Sequence, residues 1–379
     1  MRWGERRRET MDELKAKRDI IDDIDHQMAV LFEKRMTTIR DIARFKASNG
    51  MPVLDQGRED SVIRKNSPYI EDADIRAFYV NYMHSTMDIS RRFMSNVISG
   101  MKIAYSGVEG AFAYIAAKKI FPGGNLISFK NFGDAYKAVE SGECDCCVLP
   151  IENSYTGEVG QVIDIAFSGD LYINGVYSLP VNHNLLGIKG ANLGNIRKVI
   201  SHPQALEQCG EYISKNGFEI EEAGNTAYAA QKVAELNDGS LAAIASAETA
   251  ELYGLDILDH DINVSNVNTT RFAVFSRTTG QSVDNKNNFI LLFTVNDEVG
   301  ALAKAVNIIC SHGFNMRVLR SRPVKDTPWQ YYFYVEAQGD QRSEEGVRML
   351  KELSVCCARL KVVGHYAEEI NLHKSGNLA

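Results

Sequence analysis

Residues 99–107 read SGMKIAYSG, and at this stretch the chain changes from one hydrophobic pattern to another. Before it, residues 12–48 repeat apolar side chains at helical spacing without a Pro or Gly, and two more helical stretches follow. After it, short apolar runs such as MKIAYS and CCVLPIEN are each followed by a helical stretch. The sequence therefore predicts an all-helical domain over 11–98 and an α/β domain over 101–279.

A second change lies at residues 280–288, where the polar stretch GQSVDNKNN is typical of a linker. The segment after it follows the order β-α-β-β-α-β, which predicts a third, ferredoxin-like domain over 288–367. Within the α/β domain we expect a mostly parallel sheet and two lobes around a cleft. The fold class is thus multidomain, with an α domain followed by α/β domains.

Composition and charge argue against several classes of protein. The net charge of −7 comes without a basic stripe, so no nucleic-acid partner is expected. No apolar run reaches the length of a membrane span and no secretory signal is seen, so we expect no membrane partner and a cytoplasmic location. Seven Cys without a signal peptide argue against a disulfide framework. The CDCC of residues 144–147 lacks a second Cys/His pair, so no metal is expected.

The first helix is too long to be covered by its own domain. A helix over 12–48 would extend about 55 Å, which is more than a small domain is wide. Its apolar stripe, which includes Ile21, Ile24 and Met28, therefore needs another chain to cover it. The protein is expected to be at least a homodimer.

Four cations of the helical domain could bind a small dianion. Arg35 and Lys46 return to almost the same face of the long helix, whereas Arg18 lies on another face and would reach the site from a second copy. Arg58 follows in the next helix, and Arg side chains are well suited to hold carboxylates. The alternative is a solvated helix with surface salt bridges.

The same residues carry a family resemblance. The run from Arg18 through DIDHQMAVLFEKR, Lys46 and DQGRED resembles the all-helical chorismate mutase family. In register, that family's substrate-binding positions correspond to Arg18, Arg35, Lys46, Asp55, Arg58, Glu59 and Ser90. The resemblance implies an intertwined dimer in which Arg18 comes from the second subunit.

The reaction implied by this resemblance is the pericyclic rearrangement of chorismate to prephenate. It needs no acid, base or cofactor, because the enzyme holds the substrate in a compact conformer and stabilises charge on the ether oxygen. Lys46 would donate to that oxygen. Met94 stands where the family has Gln or Glu, and a thioether cannot donate a hydrogen bond, so weak mutase activity is expected.

Polar side chains of the α/β domain follow its strands, where ligands of such sheets bind. Each of these residues by itself is more often a helix cap or turn residue than a catalytic one. The candidates are Glu152, Asn153, Ser154, Ser201, His202, Gln204, Ser246, Asn268, Thr270 and Arg271 near the strand ends, and Gln208 one helical turn later.

Three motifs within 101–278 together resemble the prephenate dehydratase family: Pro-Ile-Glu-Asn, Ser-His-Pro-Gln and Thr270-Arg271-Phe272. The resemblance implies a two-lobed fold like that of periplasmic binding proteins and the conversion of prephenate to phenylpyruvate. Thr270 would lie against the leaving hydroxyl as proton or hydrogen-bond donor, with Glu152 or His202 as the group that tunes it.

The same resemblance gives roles to other residues of the α/β domain. Asn153, Ser201 and Gln208 would orient the substrate. Arg271 would either bind a substrate carboxylate or form a structural ion pair, and the sequence leaves both open.

The C-terminal segment resembles the ACT family of regulatory domains. Gly300, Ala301 and Leu302 open its first helix like that family's amino-acid-binding loop, and Ser321-Arg322-Pro323 matches a second motif. Arg320 precedes this motif where Glu is more usual. The resemblance implies that phenylalanine binds between two such domains as a feedback inhibitor, and the alternative is a purely dimerising domain.

The order of the three domains resembles the bifunctional chorismate mutase/prephenate dehydratase family over nearly the full length. The substrates implied are chorismate and prephenate, and no organic cofactor is implied. A dehydratase with a weak or inactive, dimerising mutase domain is one alternative. A non-catalytic amino-acid sensor is another.

Overall fold

The computed structural model describes residues 2–264, 268–279, 288–325 and 327–372, with side chains from residue 13 onward. The chain divides into two compact units, residues 1–101 and 102–379. No helix within the described ranges is both long and apolar enough to cross a membrane.

The first unit is helical throughout its described part. Its long helix begins about ten residues earlier than the sequence predicts, and only α3 packs extensively along it. Gly100, with φ of 76°, caps the C-terminus of α3. The helices are α1 (Arg2–Ser48), α2 (Gln56–Asn66) and α3 (Ala73–Ser99), with a 3₁₀ turn at Ser67–Tyr69.

The second unit contains two lobes and a C-terminal subdomain. The first lobe comprises β1 (Lys102–Ser106), α4 (Phe112–Ile120), β2 (Asn125–Phe129), α5 (Phe132–Glu140), β3 (Cys146–Asn153), β4 (Gly157–Glu158), α6 (Gly160–Ser168), β5 (Tyr172–Pro180) and, after the second lobe, β11 (Thr269–Ser276).

The second lobe is inserted between β5 and β11. It comprises β6 (Asn184–Gly187), β7 (Lys198–Ser201), α7 (Pro203–Gln208), α8 (Gly210–Asn216), β8 (Glu219–Glu222), α9 (Thr226–Leu236), β9 (Leu241–Ala245), α10 (Ala247–Tyr253) and β10 (Asp256–Asp259).

Both lobes have mixed sheets, so the expectation of a mostly parallel sheet was wrong. In the first lobe β2, β1 and β3 are parallel, but β11 runs antiparallel to both β3 and β5. In the second lobe β8, β7 and β9 are parallel, whereas β6 and β10 are antiparallel neighbours. The reason is that β5 leads out of the first lobe and β11 leads back into it, so these adjacent crossing strands point in opposite directions.

The C-terminal subdomain has the predicted β-α-β-β-α-β order. Its strands form an antiparallel sheet in the order β13-β14-β12-β15, followed by a short strand that pairs with β5. Its elements are β12 (Asn288–Val295), α11 (Ala301–Ser311), β13 (Asn315–Pro323), β14 (Tyr331–Gln338), α12 (Glu344–Cys356), β15 (Cys357–Tyr366) and β16 (Ile370–Asn371).

This subdomain continues the sheet of the first lobe, because β15 lies beside β5 with Gly364 opposite Ile173. A side chain at Gly364 would overlap with the backbone of Ile173, so glycine permits this close approach. Ile290 and Tyr332 of the subdomain share one apolar core with Leu149 of the first lobe. The predicted boundaries at 279 and 288 remain a prediction, since the two parts form a single compact unit.

Candidate functional sites

In the first unit, Arg35 and Ser90 lie in contact although they are 55 residues apart in the chain. Arg35 of α1 donates to Ser90 Oγ, and Ser90 in turn donates to the carbonyl oxygen of Thr86, 2.7 Å away. Burial lowers the pKa of Arg35, but a guanidinium remains charged at neutral pH. Two predicted substrate contacts are therefore brought together between α1 and α3.

Lys46 and Asp55 shape the connection between α1 and α2. Lys46 Nζ donates to the carbonyl oxygens of Pro52 and Val53, both at 2.9 Å. Asp55 caps α2 by accepting from the backbone N–H of Arg58 at 2.9 Å. The Lys46 bonds hold the connecting loop against the end of α1. The cap fixes Asp55 and Arg58 at the start of α2, as is usual for an Asp at an N-cap.

Glu59 has a charged partner that was not among the predicted site residues. Its carboxylate lies 2.5 Å from Arg91 Nη1, and Arg91 also contacts Asp88 at 3.3 Å. Arg91 directly follows Ser90, so the sequence signal was the SRR run on the same helix. Met94, one turn after Ser90, is buried with 6% of its surface exposed.

Arg18 cannot join Arg35 within one chain. Both lie on the continuous helix α1, and a separation of 17 residues corresponds to roughly 25 Å along the axis. The same helix leaves Ile21 and Leu31 with 55% and 65% of their surfaces exposed. In this chain alone Arg18 stays apart from the other predicted mutase residues.

The second unit has a cavity of about 270 Å³ between its lobes. Six of the predicted dehydratase residues line it: Asn153, His202, Gln204, Gln208, Asn268 and Thr270. The rest of the wall is formed by Ala111, Phe112, Thr156, Val159, Val181, His183, Ala205, Asn225 and Thr226.

Strand register brings two of the lining residues together. Since β11 pairs with β3, Thr270 lies opposite Asn153. The Asn153 Oδ1 accepts from the backbone N–H groups of Tyr155 and Thr156 at 2.9 and 3.0 Å, which fixes Nδ2 as the group that faces β11. Asn153 Nδ2 donates to Thr270 Oγ1 at 2.9 Å. Because the Thr270 oxygen accepts this bond, its own hydrogen remains available for donation.

His202 also presents a donor to the site. It is the N-cap of α7, and its Nδ1 accepts from the backbone N–H of Gln204 at 3.2 Å. A neutral imidazole with Nδ1 as acceptor carries its hydrogen on Nε2. His202 therefore lines the cavity with Nδ1 already engaged, and its Nε2–H group is the one that can donate a hydrogen bond.

Three predicted residues have structural contacts outside the lining of this cavity. Ser201 is fully buried and donates to the carbonyl oxygen of Ile244 at 2.6 Å, which ties β7 to β9. Ser246 caps α10, and Ser154 accepts from the backbone N–H of Thr269 at 2.9 Å. Ser246 is thus a helix cap, and Ser201 and Ser154 hold neighbouring backbone segments together.

Glu152 and Arg271 form an ion pair away from the cavity wall. Arg271 Nη1 lies 2.8 Å from Glu152, and Arg320 of the C-terminal subdomain also contacts that carboxylate. Burial alone would raise the pKa of Glu152, but the bonds from the two arginines outweigh it and lower the pKa. Glu152 is thus held as a carboxylate, and the geometry favours the ion-pair alternative for Arg271.

The predicted effector residues lie at one edge of the C-terminal sheet. Tyr332 of β14 pairs with Arg322 of β13 on one side and with Thr294 of β12 on the other. The ends of β13 and β12 therefore lie side by side, separated by two strand spacings or about 10 Å. Gly300, with φ of 81°, opens α11 directly before Ala301 and Leu302.

Arg322 itself points to the first lobe. Its Nε lies 2.8 Å from Asp164 Oδ1, and it also contacts Glu158. Of the second motif, Ser321 is exposed on the opposite face of β13, as is Pro323. Arg322 is therefore engaged by carboxylates of the first lobe.

His183 and Phe112 line the cavity but were not predicted as site residues. Their rings pack edge to face with centroids 5.9 Å apart. His183 follows β5 on the first crossing between the lobes. The sequence signal for His183 was a polar residue between the apolar runs of β5 and β6. A His at a strand end is common, and His183 belongs to none of the three motifs, so this signal alone did not identify it as a site residue.

Each of the two units matches a known protein family. Residues 103–280 match the prephenate dehydratase family, and residues 17–95 match chorismate mutase type II. A bifunctional chorismate mutase/prephenate dehydratase of Aquifex aeolicus is 31% identical over 95% of this chain and 99% of its own.

Solved structures match the second unit. One described as GqqA, a novel type of quorum quenching acylase, is 31% identical with a TM-score of 0.66, over 70% of this chain and 98% of that one. Prephenate dehydratase of Arthrobacter aurescens in complex with L-Phe has a TM-score of 0.65 at 24% identity, over 73% of this chain and 92% of that one.

Proposed function

Since the chain belongs to the bifunctional chorismate mutase/prephenate dehydratase family, we propose that it converts chorismate to prephenate and prephenate to phenylpyruvate, and that phenylalanine inhibits it. The first unit would carry out the rearrangement and the second unit the dehydration. The observation that carries the dehydratase assignment is the Thr270 hydroxyl, oriented by Asn153 on the wall of a cavity that also holds His202.

For dehydration, the substrate must lose CO₂ and its ring hydroxyl. The bond from the ring to the carboxylate carbon breaks, its electrons complete the aromatic ring, and the bond to the hydroxyl oxygen breaks, so that hydroxide leaves. A dianionic substrate thus gives a monoanionic product, CO₂ and hydroxide, and the charges balance. The Thr270 hydrogen would be donated to the departing oxygen, because the Thr270 oxygen already accepts from Asn153.

Of the two candidates for tuning Thr270, the geometry supports His202. It lines the cavity as an Nε2–H donor, whereas Glu152 is held by Arg271 and Arg320. Gln208 would orient the substrate, since its buried Nε2 has no hydrogen-bond partner among the described residues.

The same tautomer argues against acyl hydrolysis. An acylase that used Thr270 as nucleophile would need a base to remove the hydroxyl proton. Asn153 donates to Thr270, and His202 presents a hydrogen and not a lone pair. These contacts suit donation to a leaving group.

Valine at position 270 tests the dehydratase proposal. Thr270→Val keeps the shape but removes the donor, so phenylpyruvate formation from prephenate should fall by about 10²–10³-fold, as for loss of an oxyanion donor. Thr269→Val is the matched control, because successive side chains of a strand point to opposite faces and Thr269 is outside the cavity wall. Equal rates in the two variants would contradict the role of Thr270. If the wild type forms no phenylpyruvate from prephenate, the alternative of a non-catalytic amino-acid sensor would be favoured.

For the mutase, Arg35 is the residue to change. Arg35→Ala should abolish prephenate formation from chorismate, since it removes the cation that contacts Ser90. Arg44→Ala, an exposed cation of the same helix with 70% of its side chain accessible, serves as control. A wild type without measurable turnover of chorismate would support the alternative of a dimerising, inactive mutase domain.

Feedback inhibition is supported by the arrangement of Gly300–Leu302 and Ser321 at one edge of the sheet and by the L-Phe complex of the Arthrobacter protein. Deleting the whole subdomain is a poor test, because it contributes to the core of the first lobe. Ser321→Lys should instead weaken inhibition by phenylalanine at unchanged basal rate. Asn315→Lys, exposed at the other end of the same strand, is the control. Inhibition equal in both variants would contradict the site.

A further inference from the structure

Four side chains form a continuous chain of hydrogen bonds that ends at Thr270. Asn153 Nδ2 donates to Thr270 Oγ1 and also to Asn268 Oδ1, at 2.9 and 2.8 Å. Asn268 Nδ2 donates to Gln208 Oε1 at 3.0 Å. The same Gln208 oxygen lies 2.9 Å from His183 Nε2. His183 is thus linked to Thr270 through three amides.

The direction of every bond in this chain is fixed from one end. The backbone N–H groups of Tyr155 and Thr156 can only donate, so Asn153 must face them with its oxygen. Asn153 then presents its NH₂ to Asn268, which therefore accepts with oxygen and turns its own NH₂ to Gln208.

Gln208 consequently presents its oxygen to the imidazole. His183 completes the chain only if it carries a hydrogen on Nε2. Its Nδ1 is buried without a hydrogen-bond partner among the described residues, as expected for the atom without hydrogen. Burial also lowers the pKa of His183, which favours the neutral imidazole.

The backbone holds His183 in place independently of its ring. Its N–H donates to Asn263 Oδ1 at 3.0 Å, and its carbonyl oxygen accepts from Ile262 at 2.8 Å. His183 is 2% exposed, and its ring packs against Phe112. A donor held this firmly at the crossing between the lobes can orient the amide of Gln208 in the second lobe.

We propose that His183 is a positioning residue for the dehydration, which as the neutral Nε2–H tautomer orients Gln208 and, through Asn268 and Asn153, the Thr270 hydroxyl. This inference rests on the proposed role of Thr270. Without the His183 donor, the Gln208 amide can rotate, and Asn268 then loses the acceptor that fixes its orientation.

Two amide substitutions separate this role from a merely structural one. In His183→Gln the side-chain NH₂ occupies roughly the place of Nε2 and can donate to Gln208, whereas in His183→Asn it occupies the place of Nδ1 and cannot. His183→Asn should lower kcat for prephenate about 10- to 100-fold with KM changed less than about threefold, as expected for loss of orientation. His183→Gln should restore kcat to within about fivefold of the wild type. Prephenate formation by the first unit should be the same in both.

The outcomes are distinguishable. Equal kcat values for His183→Gln and His183→Asn, or a change confined to KM, would overturn the positioning role alone. Failure of Thr270→Val to reduce a measurable wild-type rate would overturn the proposed site, and this inference with it. A kcat rescued by Gln and not by Asn supports the inference, because packing alone would not distinguish the two amides in this order.

Discussion

Arg271 Nη2 lies 2.9 Å from Glu336 Oε2, and Arg271 Nη1 lies 3.1 Å from Glu336 Oε1. This two-point ion pair joins the strand of Thr270 to β14 of the C-terminal subdomain. Glu336 is only 2% exposed and also accepts from Tyr366 at 3.0 Å. Burial opposes the charge on Arg271, but the surrounding carboxylates outweigh it and raise its pKa. The C-terminal subdomain therefore holds the residue next to the proposed proton donor.

Glu336→Ala should destabilise the second unit by about 3 kcal/mol, because it leaves Arg271 buried with less compensating charge. Chemical denaturation measures the change, and kcat for prephenate should fall with it. Glu219→Ala, at an exposed strand position, should change the free energy of unfolding by less than about 0.5 kcal/mol. Equal effects of the two substitutions would show that the Arg271–Glu336 pair is not needed.

Asp164 gives a stability difference that depends on pH. Burial would raise its pKa, but hydrogen bonds from Arg322, Tyr332 and Lys325 outweigh it and lower the pKa from 3.8 to about 2. A carboxyl with a depressed pKa stabilises the fold above its unfolded pKa, and this contribution is lost as pH falls through the folded pKa.

Asp164→Asn should therefore be less stable than the wild type at pH 7 by about 2 kcal/mol. The difference should shrink as the pH falls from about 4 to about 2, measured by denaturant unfolding in a series of buffers. Asp134→Asn is a control on the exposed N-terminal turn of α5. A difference between wild type and Asp164→Asn that is independent of pH would contradict this assignment.

Met94 lies where the proposed mutase site is expected to need a hydrogen-bond donor. Because Met94 lies one turn after Ser90 and is buried, a Gln in its place would bring an NH₂ group beside the Arg35–Ser90 contact. Met94→Gln should raise mutase kcat by about tenfold or more, given that single donors of this kind contribute about 10²–10³ in rate. Met94→Leu should not raise it. If Met94→Gln and the wild type have the same mutase kcat, the absence of a donor at position 94 does not limit the rate.

Arg18 and Arg35 should act from different chains. Arg18→Ala and Arg35→Ala are each expected to be inactive as mutases. After mixing in equal amounts and subunit exchange, half of the dimers are hybrids with one intact site of two, so about one quarter of wild-type activity should appear. Recovery of no activity after confirmed exchange would contradict a site shared between Arg18 of one chain and Arg35 of the other.

Much of the site was predictable from residue order alone. Asn153, His202, Gln204, Asn268 and Thr270 lie at or next to strand ends, Gln208 lies one helical turn later at the end of α7, and all line the cavity. Ser201 and Ser246 occupy similar strand ends but bond to backbone or cap a helix. The sequence could not separate the two groups, because the direction of a side chain at a strand end depends on register and on which lobe packs against it.

The sequence by itself determined the alternation of helices and strands, the helical first unit, the ferredoxin-like order of the last segment and the candidates at strand ends. These follow from periodicity and local chemistry, which act over a few residues. Only the tertiary structure decided that Arg271 pairs with Glu336, that Arg322 binds Asp164, and that His183 faces Gln208. Such contacts join residues far apart in the chain, and their partners are set by strand order and lobe packing, which no local pattern specifies.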